Sequence, residues 1–171
     1  NSFNTSRDTR EFLGAHYPSL PWTELMQYPF KKINALTQLP FDDDGDFFYN
    51  PPGHGSVYFD LYHSGALNRL LDDGIDYLFI SNADNLAATC DPKIAAYVKA
   101  KKCPFLMEVT PKRSSDVKGG SVVSLDGSLK LWEIAQVSND QLPLFQSQPA
   151  FNTNNIWVHI PTLINLIESD A

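Results

Sequence analysis

The sequence is short of cysteine, of positive charge, of long apolar runs and of nucleotide-binding fingerprints. Only two cysteines, Cys90 and Cys103, occur in 171 residues. Neither stands in a CxxC pair or beside a histidine, which argues against a metal centre built on thiolates. Two isolated thiols fit reduced packing residues of a cytosolic protein better than a disulfide frame. No apolar run approaches the roughly 20 residues of a membrane span, so a membrane protein of that kind is ruled out. Basic side chains number 13 against 20 acidic ones, a formal charge of −7. That balance argues against a nucleic-acid binder while leaving room for a local phosphate site. Neither a Walker loop nor a dinucleotide fingerprint occurs, and there is no internal repeat. The opening Asn1-Ser2-Phe3 holds no initiator methionine and no signal-like segment, so the expectation is that either the start has been cut away or the chain is a piece of something longer.

What is present is enough to fold. Hydrophobic residues make up 43% and aromatics 12%, and the length predicts one globular domain with a real core. Ser6 to Ala15 reads as a short amphipathic helix burying Phe12 and Leu13, stopped by Pro18 and Pro21. A Pro-rich, irregular region follows up to Pro52. Its acidic run Asp42-Asp43-Asp44-Gly45-Asp46 lacks the ligand spacing of a calcium loop and reads as a solvated turn. From Tyr58 to Leu71 apolar residues recur at helical spacing, with Gly74 placed as a C-cap. Ile75 to Ile80 reads as a buried strand ending in the polar turn Ser81-Asn82-Ala83-Asp84-Asn85. Asp91-Pro92 opens a second helix, and Phe105 to Val109 is a further strand. That rhythm predicts an α/β fold with a mixed, mostly parallel sheet flanked by helices. Val122–Leu125 and Leu129–Ile134 flank Asp126-Gly127, a hairpin signal. Ile156 to Ile160 is another strand, and Pro161 opens a last helix carrying Leu163, Leu166 and Ile167 on one face.

In an open parallel sheet, ligands bind beyond the carboxyl ends of the strands. The turn at Asp84 lies at such an end. One Asp there could hold Mg²⁺ shared with substrate phosphates, or it could serve with Asn82 and Asn85 only to bond the turn backbone. Pro51-Pro52-Gly53-His54-Gly55 bares main-chain N–H groups on both sides of a histidine just before a helix, which suits an anion. Asp116-Val117-Lys118-Gly119-Gly120 joins a cation to paired glycines. Phe151-Asn152-Thr153-Asn154-Asn155 gathers amides, which both donate and accept as sugar hydroxyls require. Glu133 interrupts the apolar run Leu131-Trp132-Glu133-Ile134; it either accepts from hydroxyls or faces solvent on strand alternation.

These segments, in this order, resemble the eukaryotic-type UTP–glucose-1-phosphate uridylyltransferases, or UDP-glucose pyrophosphorylases. The resemblance rests on Asn1-Ser2-Phe3-Asn4-Thr5, on Pro51 to Gly55, and on Ser81 to Leu86 with Ala88-Thr89. It rests further on Met107-Glu108-Val109-Thr110, Asp116 to Gly120, Glu133-Ile134-Ala135-Gln136-Val137, and Phe151 to Asn155. The related UDP-N-acetylhexosamine pyrophosphorylases share the layout, but their counterparts of the last two motifs differ.

The resemblance implies a Rossmann-like nucleotide-diphospho-sugar transferase fold, incomplete in this chain. It implies conversion of UTP and glucose 1-phosphate to UDP-glucose and pyrophosphate with Mg²⁺, in the cytoplasm. The sugar phosphate would attack the α-phosphorus of UTP in line, chemistry that rests on positioning and charge neutralisation. By motif, Gly53 and His54 would contact uridine and phosphate, and Asp84 would hold Mg²⁺ and the phosphates. Asn82, Glu133 and Asn155 would contact the hexose, Gly119 beside Lys118 would back the sugar, and Gln27 would read the uracil edge. The family's glycine-rich nucleotide loop with its lysine, a later phosphate-binding lysine and a C-terminal β-helix domain have no counterpart here. The chain therefore reads as a central slice of a catalytic domain, with little or no uridylyltransferase activity alone. Two other readings are a non-catalytic nucleotide-sugar binding module and an enzyme of different sugar specificity.

Overall fold

The computed structural model describes residues 1–169. Where length predicts one domain, the chain gathers into two compact units. The first is Asn1–Gly74 with the chain from Ile164 on; the second is Ile75–Leu163.

The first unit opens with α1 (Ser6–His16). Its inward side is only partly the expected one: Leu13 is half-buried, but Phe12 is 55% exposed while Ser2 and Ser6 are buried. A polar network draws that side inward instead. Arg10 Nη2 donates to Ser6 Oγ at 2.8 Å and Arg10 pairs with Glu24 at 3.0 Å, leaving Phe12 to pack on the His16 ring at 4.6 Å. The Pro-rich stretch folds around a short antiparallel pair, β1 (Phe30–Lys31) with β2 (Tyr49–Asn50). The acidic run between them is exposed. The single helix expected beyond Ser56 is two, α2 (Val57–His63) and α3 (Ala66–Asp72). Gly65 separates them at φ +70°, a left-handed conformation that glycine adopts at low cost and that stops a helix. Gly74, at φ +79°, ends α3 as expected.

The second unit is a sheet with helices. Its strands are β3 (Tyr77–Ile80), β4 (Phe105–Pro111), β5 (Gly120–Leu125), β6 (Ser128–Glu133) and β7 (Ala150–His159). Between them lie α4 (Pro92–Lys101) and α5 (Leu142–Gln146), and β7 is followed by α6 (Ile160–Ser169), of which only Ile160 to Leu163 belong to this unit. Helix content and strand content are α/β as expected. The mostly parallel sheet is a correction: every strand pairing among the described residues is antiparallel. The rhythm β3–α4–β4 does set β3 and β4 in one direction, as a crossover requires. Both, however, pair with β7, which lies between them running the other way. Local order in the sequence carries no sign of that partner: Asn155, opposite Glu108, lies 47 residues further along the chain.

β7 also begins earlier than its apolar run. Ala150 to Asn155 belong to the strand, although asparagine is a poor strand former, because their side chains find partners inside the sheet. The register slips between Glu108 and Val109: Glu108 faces Asn155, Val109 faces Asn152, and Thr153 and Asn154 bulge out with Asn154 at φ +59°. On its other edge β7 meets β3 over 156–159 and β5 only at Phe151. The edge at 152–155 thus stands between two diverging neighbours.

Ile156, Trp157, Val158, Val98, Phe145 and Ile160 are buried in this unit. Phe79 packs on Trp157 at 4.8 Å between ring centroids. The hairpin closes as the sequence indicates, with Asp126 and Gly127 both at positive φ. Asp91 caps α4, accepting the Lys93 N–H at 2.7 Å with Pro92 in the first turn. Asp91→Ala is therefore expected to cost about 1 kcal/mol of unfolding free energy, read as a lower urea midpoint with unchanged slope. An unshifted midpoint would show the cap to be idle.

Candidate nucleotide-sugar site

In the second unit, β3 ends at Ile80 and the chain turns at once. Asn85 N–H donates to Asn82 O at 3.2 Å, so residues 82–85 close a polar turn that leaves the Asp84 carboxylate exposed. This turn faces the bulged stretch of β7, and the two are tied by amides. Asn154 Nδ2 donates to Asn82 Oδ1 at 2.7 Å, and Asn85 Nδ2 donates to Asn155 Oδ1 at 3.3 Å. Asn155 is 6% exposed. It is held from the β4 side: its Nδ2 donates to Glu108 Oε2 at 3.1 Å, while Trp157 Nε1 donates to Glu108 Oε1 at 2.7 Å. Thr153 Oγ1 adds a 2.7 Å bond to Glu108 O. Asn82, Asp84 and Asn155, three of the residues singled out in the sequence, are thereby brought together.

Glu133 and Gly119 form a second group in the same unit. Glu133 ends β6 facing Gly120 across the hairpin, and Ile134 N–H donates to Gly119 O at 3.1 Å. The Glu133 carboxylate accepts the Gln136 N–H and Gln136 Oε1 accepts the Glu133 N–H at 3.0 Å, a reciprocal cap of the turn at Ile134–Gln136. Glu133 is half-buried rather than pointing freely to solvent. A side chain at either glycine would crowd a neighbour. A Cβ on Gly119 would lie 2.8 Å from Phe151 Cζ, and one on Gly120 2.6 Å from Glu133 Oε1. Lys118, just before them, is exposed.

In the first unit, Gln27 and the glycine-histidine turn meet. Gln27 Nε2 donates to Gly53 O at 2.8 Å and to Ser56 Oγ at 3.1 Å. His54 is exposed in the single turn His54–Ser56 that leads into α2. Gln27 also lines a cavity of about 420 Å³ with Asp60, whose Oδ2 is buried without a hydrogen-bond partner among the described residues.

The residues to which the sequence attaches no role are the supports. Glu108 stands in a motif without a stated task; its signal is the one that marks Glu133, an ionisable side chain inside an apolar strand run. Lys112 is a second case. Its Nζ donates to Phe145 O at 2.8 Å and Ser121 Oγ at 3.0 Å and lies 3.7 Å from the Phe145 ring centroid. Burial pushes its ammonium below the ordinary lysine range, against the opposing pull of Asp116.

No group of three or more His, Cys, Asp or Glu positioned for a metal exists among the described residues. Asp84, exposed at a strand end, nevertheless fits Mg²⁺, which commonly takes one or two carboxylates and completes its shell with water and substrate phosphates. Cys90 and Cys103 are unpaired. No helix among the described residues is long and apolar enough to cross a membrane.

A family model described as UTP–glucose-1-phosphate uridylyltransferase matches residues 1–171. The chain is 40% identical over 179 residues to the UTP–glucose-1-phosphate uridylyltransferase of Astragalus penduliflorus, covering 100% of this chain and 38% of that protein. It is 39% identical over 172 residues to the same-named protein of Encephalitozoon cuniculi, covering 98% of this chain and 34% of the other. Among solved structures, it matches UDP-glucose phosphorylase from Trypanosoma brucei with a TM-score of 0.90 and 39% identity, over 99% of this chain and 40% of that one. A mutant UDP-glucose pyrophosphorylase from Leishmania major in complex with UDP-glucose matches with a TM-score of 0.86 and 38% identity, over 99% and 40% respectively. The chain thus spans well under half the length of the relatives it matches.

Proposed function

Since the chain belongs to the UTP–glucose-1-phosphate uridylyltransferase family, we propose that it forms part of a catalytic domain joining UTP and glucose 1-phosphate into UDP-glucose and pyrophosphate. What carries the reading is the 0.86 TM-score match to a structure solved with UDP-glucose bound. The cluster of asparagine amides around the turn of Asp84 supports it, because hexose hydroxyls need groups that donate and accept.

In this reading an oxygen of glucose 1-phosphate attacks the α-phosphorus of UTP, the bond from that phosphorus to the β-phosphate oxygen breaks, and pyrophosphate leaves with the electron pair. No protein nucleophile is needed, so the side chains position groups and absorb charge. Asp84 would hold Mg²⁺, and the ion would supply charge neutralisation to the phosphates. Gly53 and His54 contact the uridine and phosphate side, and Gln27 presents its amide to the uracil edge. Asn82, Glu133 and Asn155 take the hexose hydroxyls, with Gly119 behind the sugar and Lys118 as a local cation. A chain of net charge −7 offers a polyanion no general attraction, so these local donors matter. The cytoplasm is the compartment this reading implies, supported by two thiols standing unpaired.

The test is binding by calorimetry of UDP-glucose, UDP-galactose, UDP-N-acetylglucosamine and ADP-glucose to the chain, with and without Mg²⁺. UDP-glucose is expected to bind tightest, by about tenfold over ADP-glucose, the scale of one or two lost hydrogen bonds. Equal affinity for all four, or none for any, would remove the proposal. Binding indifferent to Mg²⁺ would favour a non-catalytic sugar-nucleotide module.

A further inference from the structure

We propose that Glu108 is a positioning residue: its carboxylate dictates which way round the amides of Asn155 and Asn85 point, and so presets the turn that carries Asp84. The inference rests on the reading of the hexose site above and adds a residue to it.

The directionality follows from donor chemistry. A carboxylate only accepts, and an indole N–H only donates. Trp157 Nε1 occupies Glu108 Oε1 at 2.7 Å, so the Asn155 group 3.1 Å from Oε2 must be the amide nitrogen. Asn155 therefore turns its Oδ1 toward the turn. Asn85, 3.3 Å away, must then present its own nitrogen, which leaves Asn85 Oδ1 to accept the Ala87 N–H at 3.2 Å. Amide orientation is not set by shape, since oxygen and nitrogen ends are nearly the same size; it is set by the network. Here the network has two fixed ends that agree, the Ala87 N–H, which only donates, and Glu108, the charged end, which only accepts and holds two donors. The second N–H of Asn155 and the second lone pair of its Oδ1 take their directions from the same source, and these are what it can offer a ligand. The register slip of β7 beside Glu108 brings these groups to one place.

Glu108→Gln tests this with little change of shape. The introduced glutamine would accept from Trp157 through its oxygen and offer N–H to Asn155. Asn155 should then reverse, Asn85 should reverse after it, and Ala87 should lose its acceptor. In the unmodified chain, an NMR cross-peak is expected between the Trp157 indole proton and the Asn155 amide protons, which converge on one carboxylate. In Glu108→Gln that cross-peak should vanish and Ala87 N–H should exchange about tenfold faster, the loss of one modest hydrogen bond. The double variant Glu108→Gln/Asn155→Asp supplies the opposite polarity: the glutamine donates to the introduced aspartate, which again accepts from Asn85. Ala87 exchange should return to its original rate. Unchanged amide orientation in the single variant, or no recovery in the double one, overturns the proposal.

A ligand arm separates this role from plain stability. Glu108→Gln should weaken UDP-glucose by about tenfold and leave UDP unchanged, because only the hexose contacts are reversed. Equal loss of both ligands would reduce Glu108 to a scaffold residue and overturn its positioning role. If the unmodified chain binds neither ligand, the reading of the site fails, while the NMR arm still decides whether Glu108 directs the amides.

Discussion

Asp84→Asn is expected to abolish the Mg²⁺ dependence of UTP binding, weakening the metal-bound nucleotide by about 100-fold while UTP without metal binds as before. Without the carboxylate the ion is not held at the phosphates, and since each 1.4 kcal/mol is tenfold, a 100-fold loss corresponds to about 2.8 kcal/mol. The substitution keeps the volume of the side chain. It removes only the charge, and an exposed carboxylate at a turn gives up little fold stability with it. The comparison to make is calorimetric titration of UTP into both chains with and without Mg²⁺, alongside thermal melts. A persistent metal effect in the variant would mean that the ion sits elsewhere. A large fall in Tm would mean that Asp84 serves the turn backbone, the alternative its neighbouring asparagines also suggest.

Gly119→Ala is expected to destabilise the chain by about 3 kcal/mol, combining a backbone held in the left-handed half with an overpacked contact. Gly119 sits at φ +115°, where a side chain is strained whatever the space, and its Cβ would meet the Phe151 ring at 2.8 Å. Phe151 belongs to β7 and pairs with Ser121, so its backbone is held in the sheet and only a turn of the half-buried ring could relieve the contact. For a chain of this size the melting temperature should fall by roughly 6–12 °C. Gly14→Ala is the matched control of opposite sign: it lies in α1 with nothing within 4 Å of the added carbon, so alanine should stabilise by about 0.5–1 kcal/mol. Similar melting temperatures for the two variants would refute the close-packing account of Gly119.

Particular elements show why some of this is legible in the sequence and some is not. The Asp126-Gly127 hairpin and the Asp91-Pro92 helix start involve residues a few positions apart, so local rules suffice. The two-helix break at Gly65 is local too, but apolar spacing runs across it unbroken and hides it. Phe12 escapes the pattern because amphipathic spacing cannot tell an apolar face from one where Ser6, Arg10 and Glu24 form a network. The role of Glu108 is out of reach for a different reason. Its partners Asn155 and Trp157 are 47 and 49 residues away, and only the register of β4 on β7 makes them neighbours.

By itself the sequence determined the ordered set of site segments, the α/β content and the need for local rather than overall positive charge. Each of these depends on residue type and short spacing. Tertiary structure alone decided that β7 lies between β3 and β4, making the pairings antiparallel, and that a bulge brings amides against the turn of Asp84. It also decided which way those amides face. Strand order and hydrogen-bond direction are long-range quantities: they are set by which distant backbone edge and which distant acceptor become adjacent, and no local pattern encodes that choice.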